Sequence, residues 1–198
     1  MGGVVEQMLL KCVKALVDRD IPLADETIDM DDIVDGYNLD IETRCLRLLA
    51  LQQPMARDLR TIAAALKIIT DVERMGDYAV DIAKTAKILL EKPLFKPLVD
   101  IPRMAKIVQR MLHESLAAFV NRDLGLIEKI TQEDDKVDRL NRALHDELVG
   151  MLEKDPSLAS QAVRLILIAR YLERIADHVT NVCERVYYME TGELKELH

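Results

Sequence analysis

The chain has 198 residues, 49% of them hydrophobic, with no Trp and a formal net charge of −8. That charge argues against a nucleic-acid surface. Aromatics at 4%, with seven Gly and six Pro, argue against a turn-rich all-β fold and for packed helices built from Leu, Ile, Val, Ala and Met.

In chain order, apolar residues at Val5, Leu9, Cys12, Val13 and Leu16 make a 3.6-residue stripe, which predicts a first helix over residues 4–17. Asp20, with Pro22 close behind, predicts the capped start of a second helix running to about Gln52. Pro54 opens a long third helix to about Leu90. The 93–97 stretch, with a proline at each end, breaks that helix and divides the chain into 1–92 and 98–198. Asp100 and Pro102 start a fourth helix that ends near Arg122, and a fifth runs to about Lys154. Asp155-Pro156 is a cap-plus-N1 start for a sixth, which Gly192 ends. No apolar run reaches the roughly 18 residues of a membrane helix, and the Met1-Gly2-Gly3 start has no basic signal region. Cys12, Cys45 and Cys183 sit inside helical patterns without a CxxC pair, as buried free thiols of a reducing compartment would. The expectation is a cytoplasmic protein that is not inserted in a membrane.

The chain repeats itself. Met8-Leu9 and Val17-Asp18-Arg19-Asp20 return as Met111-Leu112 and Val120-Asn121-Arg122-Asp123. Asp31-Asp32-Ile33-Val34-Asp35 returns as Asp134-Asp135-Lys136-Val137-Asp138. Glu73-Arg74-Met75-Gly76-Asp77 returns as Glu173-Arg174-Ile175-Ala176-Asp177, after a slightly shorter link. Three elements recurring in one order indicate an internal duplication. The predicted fold is all-α, six helices arranged as two tandem three-helix bundles.

The repeated segments carry the chemistry. Glu73, Asp77 and Asp81 stand at i, i+4 and i+8, on one face of a helix, and Glu173, Asp177 and Asn181 repeat the spacing. Asp31 with Asp35, and Asp134 with Asp138, supply an i, i+4 acidic pair on another helix of each half. Between Asp20 and Thr43 there is no Lys or Arg. Like charges at i, i+4 cost about 0.2–0.5 kcal/mol per pair, so a cation that neutralised them would be bound favourably. Carboxylates converging from two helices form an all-oxygen site for a hard ion such as Mg²⁺, Mn²⁺, Ca²⁺ or iron. A single acidic pair is more often a solvated helix face; recurrence in both halves and the apolar surround of Glu73, Asp77 and Asp81 favour the metal reading. Asn181 keeps an oxygen but loses a charge, so the second site should bind metal more weakly. Arg74 and Arg174 offer the competing arrangement, in which arginine neutralises the acids without metal. Gly76 and Ala176 read as small residues for close helix packing. His178, beside Asp177, is either a nitrogen ligand or a structural histidine.

Enzyme signatures are missing. None of the four histidines (His113, His145, His178 and His198) has a Glu three positions before it, as a helical di-iron oxidase requires. There is no Gly-rich phosphate loop and no GxSxG. A non-enzyme is expected.

The run Gln52-Gln53-Pro54-Met55-Ala56-Arg57-Asp58-Leu59-Arg60, with Val72-Glu73-Arg74-Met75-Gly76-Asp77, Leu172-Glu173-Arg174-Ile175-Ala176-Asp177-His178 and the Asp155-Pro156 helix start, resembles the PhoU family. The resemblance covers nearly the whole chain, from about Val4 to Gly192. It implies a cytoplasmic regulator of phosphate uptake that restrains phosphate-starvation signalling by linking the ATPase subunit of a phosphate ABC transporter to a sensor histidine kinase. It further implies a homodimer and, in some members, multinuclear iron, zinc, manganese or magnesium held by the acidic motifs. Carried over, Glu73, Asp77 and Asp81 would face Asp31 and Asp35, and Glu173, Asp177 and Asn181 would face Asp134 and Asp138. The family usually has more helical sequence before the point where this chain begins, so a shortened first helix is expected.

Overall fold

The computed structural model describes residues 1–197; His198 lies outside them. Among the described residues every regular element is helical: α1 (Gly2–Asp18), α2 (Ile21–Asp29), α3 (Asp31–Gln52), α4 (Ala56–Leu90), α5 (Asp100–Asn121), α6 (Gly125–Lys154) and α7 (Ala159–Thr191), with one 3-10 turn at Pro156–Leu158. This is the six-helix duplicated plan with one difference. The predicted second helix is interrupted at Met30 and becomes α2 and α3.

The interruption has local causes. The Thr27 hydroxyl donates back to the Leu23 carbonyl at 2.8 Å, which bends a helix. Met30 turns into the core, and its N–H reaches the Thr27 carbonyl. Asp31 and Asp32 then stand in the first turn of a new helix, where the positive end of the dipole favours them; within one continuous helix they would gain nothing.

Helix ends recur with the repeat. Both α1 and α5 stop at an arginine in the left-handed region, Arg19 (φ 58°) and Arg122 (φ 56°). Each is held by its own side chain. Arg19 Nη2 donates to the carbonyls of Leu90 (2.7 Å) and Lys92 (3.2 Å), closing the C-terminal end of α4. Arg122 Nη1 reaches Glu190 Oε1 at 2.6 Å. Asp20 accepts from the Leu23 N–H at 3.0 Å and caps α2. Asp155 accepts from Ser157 N–H at 3.0 Å, so the predicted start of the last helix is a capped 3-10 turn that leads into α7. Gly192 (φ 80°) ends α7 in the left-handed conformation.

The long helices α4 (35 residues) and α7 (33 residues) lie along each other through the centre of the molecule. At 1.5 Å per residue each spans about 50 Å. Helices α1, α2 and α3 pack on α4, α5 and α6 pack on α7, and α1 also meets α5. One apolar core therefore runs through both halves, from Val5, Met8 and Leu16 through Met75, Ile82 and Leu89 to Met104, Leu112, Leu148, Leu172 and Val186. The connection after α4 is pinned: Gln161 of α7 accepts from Phe95 N–H (3.1 Å) and donates to the Pro93 carbonyl (2.9 Å). All three cysteines are buried free thiols.

Candidate carboxylate faces

Helix periodicity places Glu73, Asp77 and Asp81 in one row on α4, flanked by the buried Val72, Met75, Ala79, Val80 and Ile82. Asp31 and Asp35, in the first two turns of α3, lie near that row, since α3 packs on α4. Burial raises the Glu73 carboxyl above its usual range, and repulsion from Asp77, Asp35 and Asp31 adds to it, against the opposing charge of Arg74. Burial likewise raises Asp31, with repulsion from Asp35 and Asp77 and relief from Lys84. Asp81 is raised by burial and by Asp77, again opposed by Lys84. Among the described residues only Asp77 of this group has an ion-pair partner, Arg74 Nη1 at 2.9 Å. Three other acids of the tract are paired with bases from beyond it: Asp25 with Lys87, Glu26 with Lys11 (2.5 Å) and Asp40 with Arg44 (2.9 Å).

The second face differs in its arginines. Glu173 is buried and its carboxyl is raised by burial, by Asp177 and by Asp138, with Arg170 and Arg174 opposing. Arg170 pairs with Glu173 Oε1, leaving buried Glu173 Oε2 without a hydrogen-bond partner. Arg174 Nη1 binds Asp177 Oδ2 at 3.0 Å, and Arg142 Nη2 lies 3.7 Å from Asp138 Oδ2. Asp134 and Glu184 both bear on Cys183, whose thiol burial pushes up to about 12. Glu184 occupies the repeat position of Lys84, so an acid joins this face where a base joins the first. Sequence reading passed over this pair, although the i+7 spacing from Asp77 and Asp177 was there to extend the row.

Asn181 does not turn to Asp134 and Asp138. Its amide donates to Asp71 Oδ1 of α4 at 3.1 Å, and His178 Nδ1 meets the same oxygen at 2.8 Å. The repeat-related location holds Tyr171 stacked on Tyr78, with ring centroids 5.9 Å apart; burial raises the Tyr171 hydroxyl, and the charge of Asp81 adds to it. His178 is thus a structural residue joining the two halves.

Both faces offer carboxylate oxygens, excess negative charge and raised acids, and the second adds an orphaned buried oxygen. This donor chemistry fits a hard multivalent cation. Among the described residues, no three His, Cys, Asp or Glu side chains stand gathered around one point as an ion would gather them. Ion binding would draw Asp77 and Asp177 off their arginines.

The PhoU domain model matches twice, over residues 1–86 and 101–186. A PhoU homologue of Clostridium acetobutylicum, named a phosphate-specific transport system accessory protein, is 39% identical over 198 residues, covering 100% of this chain and 90% of the relative. That of Aquifex aeolicus is 42% identical over 98% of this chain and 88% of its own length. The crystal structure of PhoU from Pseudomonas aeruginosa superposes with a TM-score of 0.94 at 36% identity, covering 98% of this chain and 93% of that one. The phosphate transport system regulatory protein PhoU from Streptococcus pneumoniae gives 0.89 at 33% identity, over 98% of this chain and 91% of its own. With both of its halves matched by the same domain and near-complete relatives on either side of 40% identity, this chain belongs to the PhoU family.

Proposed function

We propose that this protein is a non-catalytic accessory regulator of phosphate uptake in the cytoplasm, working as a homodimer. It would restrain phosphate-starvation signalling by linking the ATPase subunit of a phosphate ABC transporter to a sensor histidine kinase. The observation that carries the reading is the full-length match to accessory and regulatory proteins of phosphate transport, on a fold that presents two acidic faces. No helix among the described residues is long and apolar enough to cross a membrane, which agrees with a regulator that reaches the transporter through its ATPase.

The acidic faces would hold iron, zinc, manganese or magnesium, with Asp31, Asp35, Glu73, Asp77 and Asp81 forming the first site. Asp134, Asp138, Glu173 and Asp177 form the second, and Asn181 joins only by releasing Asp71. The first face, with a single arginine pair, should load before the second. Elemental analysis of protein purified without chelator or affinity metal tests this. The Glu73→Ala/Asp77→Ala variant should lose at least half of the bound ion; unchanged metal content would remove the first-site assignment. A second reading rests on the Arg74–Asp77 and Arg174–Asp177 pairs, which make the faces internally neutralised parts of a metal-free scaffold. Binding to the purified transporter ATPase, measured with and without chelator, separates the two. Binding lost on chelation supports the metal-held regulator, binding indifferent to chelation supports the scaffold, and no binding in either condition overturns the transporter link.

A further inference from the structure

Helices α1 and α5 pack antiparallel, with Gly2 against Leu116, Glu6 against His113 and Val17 beside Pro102. An open groove runs between them along α1, widening into hollows of about 550 Å³ beside His113 and about 230 Å³ beside Pro102. Its walls are two copies of one repeated helix, but their chemistry differs. On the α1 wall, Leu10 is 52% and Val17 45% exposed, and Val13 lies buried between them. On α5, Arg103, Lys106, Arg110 and His113 stand at i, i+3, i+7 and i+10, all exposed and within about 80° of one another. At the repeat positions of Lys106, Arg110 and His113, α1 carries Gly3, Gln7 and Leu10, so the basic row belongs to the second copy alone. The acids nearby are already engaged. Glu6 meets His113 Nδ1 at 2.9 Å, Asp18 pairs with Lys14, and Glu133 takes Arg110 Nη2 and leaves the other guanidinium nitrogens free of it. Among the described residues, Arg103 and Lys106 have no ion-pair partner.

We propose that this groove docks an acidic amphipathic helix of a partner protein, its apolar face on Leu10, Val13 and Val17 and its carboxylates on Arg103, Lys106 and Arg110. The shape selects a helix. From Gly3 to Val17 the groove is about 21 Å long, four turns of a facing helix, and it is concave, so it receives a row of side chains at i, i+3, i+4 and i+7. A flat anionic bilayer would meet the outer cations but not the apolar floor of Leu9 and Val13, both of which line the hollow beside Pro102. The charge selects an acidic partner. With a net charge of −8 the chain as a whole repels one, and a row with two unpaired cations beside an apolar wall gives such a helix both a place and an orientation.

This inference deepens the accessory role proposed above by giving it a partner-binding surface, and it requires no metal on either acidic face. The test is fluorescence anisotropy with the full chain and a labelled helical peptide of about 16 residues, about 24 Å long, with Leu at i, i+4, i+7 and i+11 and Glu on both flanks of that row. The same peptide with Lys in place of Glu is the control. The acidic peptide should bind, more weakly as salt is raised, and the Lys peptide should not. Arg103→Glu/Lys106→Glu should raise the dissociation constant at least about tenfold, and Leu10→Asn, which leaves the charges in place, should raise it by several-fold, with circular dichroism showing helix content unchanged in both. Absence of acidic-peptide binding, or binding indifferent to both variants, would overturn the proposal. Retention on phosphatidylglycerol vesicles without peptide binding would assign the basic row to a membrane surface and overturn it too. Neither result touches the transporter link, which is read separately from binding to the ATPase.

Discussion

Arg19 and Arg122 show why single residues in this protein are best read through what their side chains reach. A left-handed backbone costs an L-residue roughly 1–2 kcal/mol, and glycine is its usual occupant, yet the duplication holds arginine at both places. Each guanidinium ties a helix end that a glycine would leave loose. Gly76 is the converse case. Its position between acids suggests that close packing forbids a side chain, but a Cβ there would meet Val34, Val5 and Met8 at 3.5, 3.7 and 3.8 Å, ordinary contact distances. Gly76→Ala should therefore stabilise the protein by about 0.5–1 kcal/mol, through the entropy lost by a mid-helix glycine, read as a raised unfolding midpoint in urea. The roles of His178 and Asn181 were not legible in the sequence because their partner, Asp71, lies more than a hundred residues away on another helix. Only the fold brings that carboxylate to them. The acids themselves were legible, since i, i+4 spacing fixes a shared helix face whatever the tertiary structure.

Helices were the most readable part of the chain, because their stripes and caps are local. The ends at Asp20, Asp155 and Gly192 follow from capping chemistry visible in the sequence. The break at Met30 was hidden, since no Pro or Gly marks it. It arises where a hydroxyl bonds backwards and a methionine turns inward. Asp20 thereby caps a helix of only nine residues, too short to persist without tertiary support and a satisfied first turn. Asp20→Ala should cost about 1 kcal/mol and raise amide exchange across α2 well beyond that of α4. Equal exchange in both helices would show that the cap is dispensable.

Across the whole molecule, the halves are held together by more than the shared core. Glu190, near the end of α7, accepts from Arg57 at the start of α4 (2.8 Å) and from Arg122 at the end of α5 (2.6 Å). Burial alone would raise its carboxyl, but the Arg122 and Arg57 hydrogen bonds outweigh that and hold it below the usual carboxylate range. A lowered folded-state value contributes stability above the unfolded pKa and loses it as pH falls through the folded one. Glu190→Gln should thus cost about 1 kcal/mol at neutral pH, allowing for solvent around the arginines. The difference from wild type should close as the solution is acidified through the carboxylate range, measured by urea denaturation at a series of pH values. The contact of Asp71 with His178 and Asn181 bears on the history of the duplication. Two copies of the first half, packed as the halves are here, would bring Asp71 against Asp81 on both sides of the axis, four carboxylates where the present chain has an Asp bonded to a His and an Asn. A tandem repeat that began with interchangeable units has acquired a lock and a key, and neither unit can any longer stand in for its neighbour.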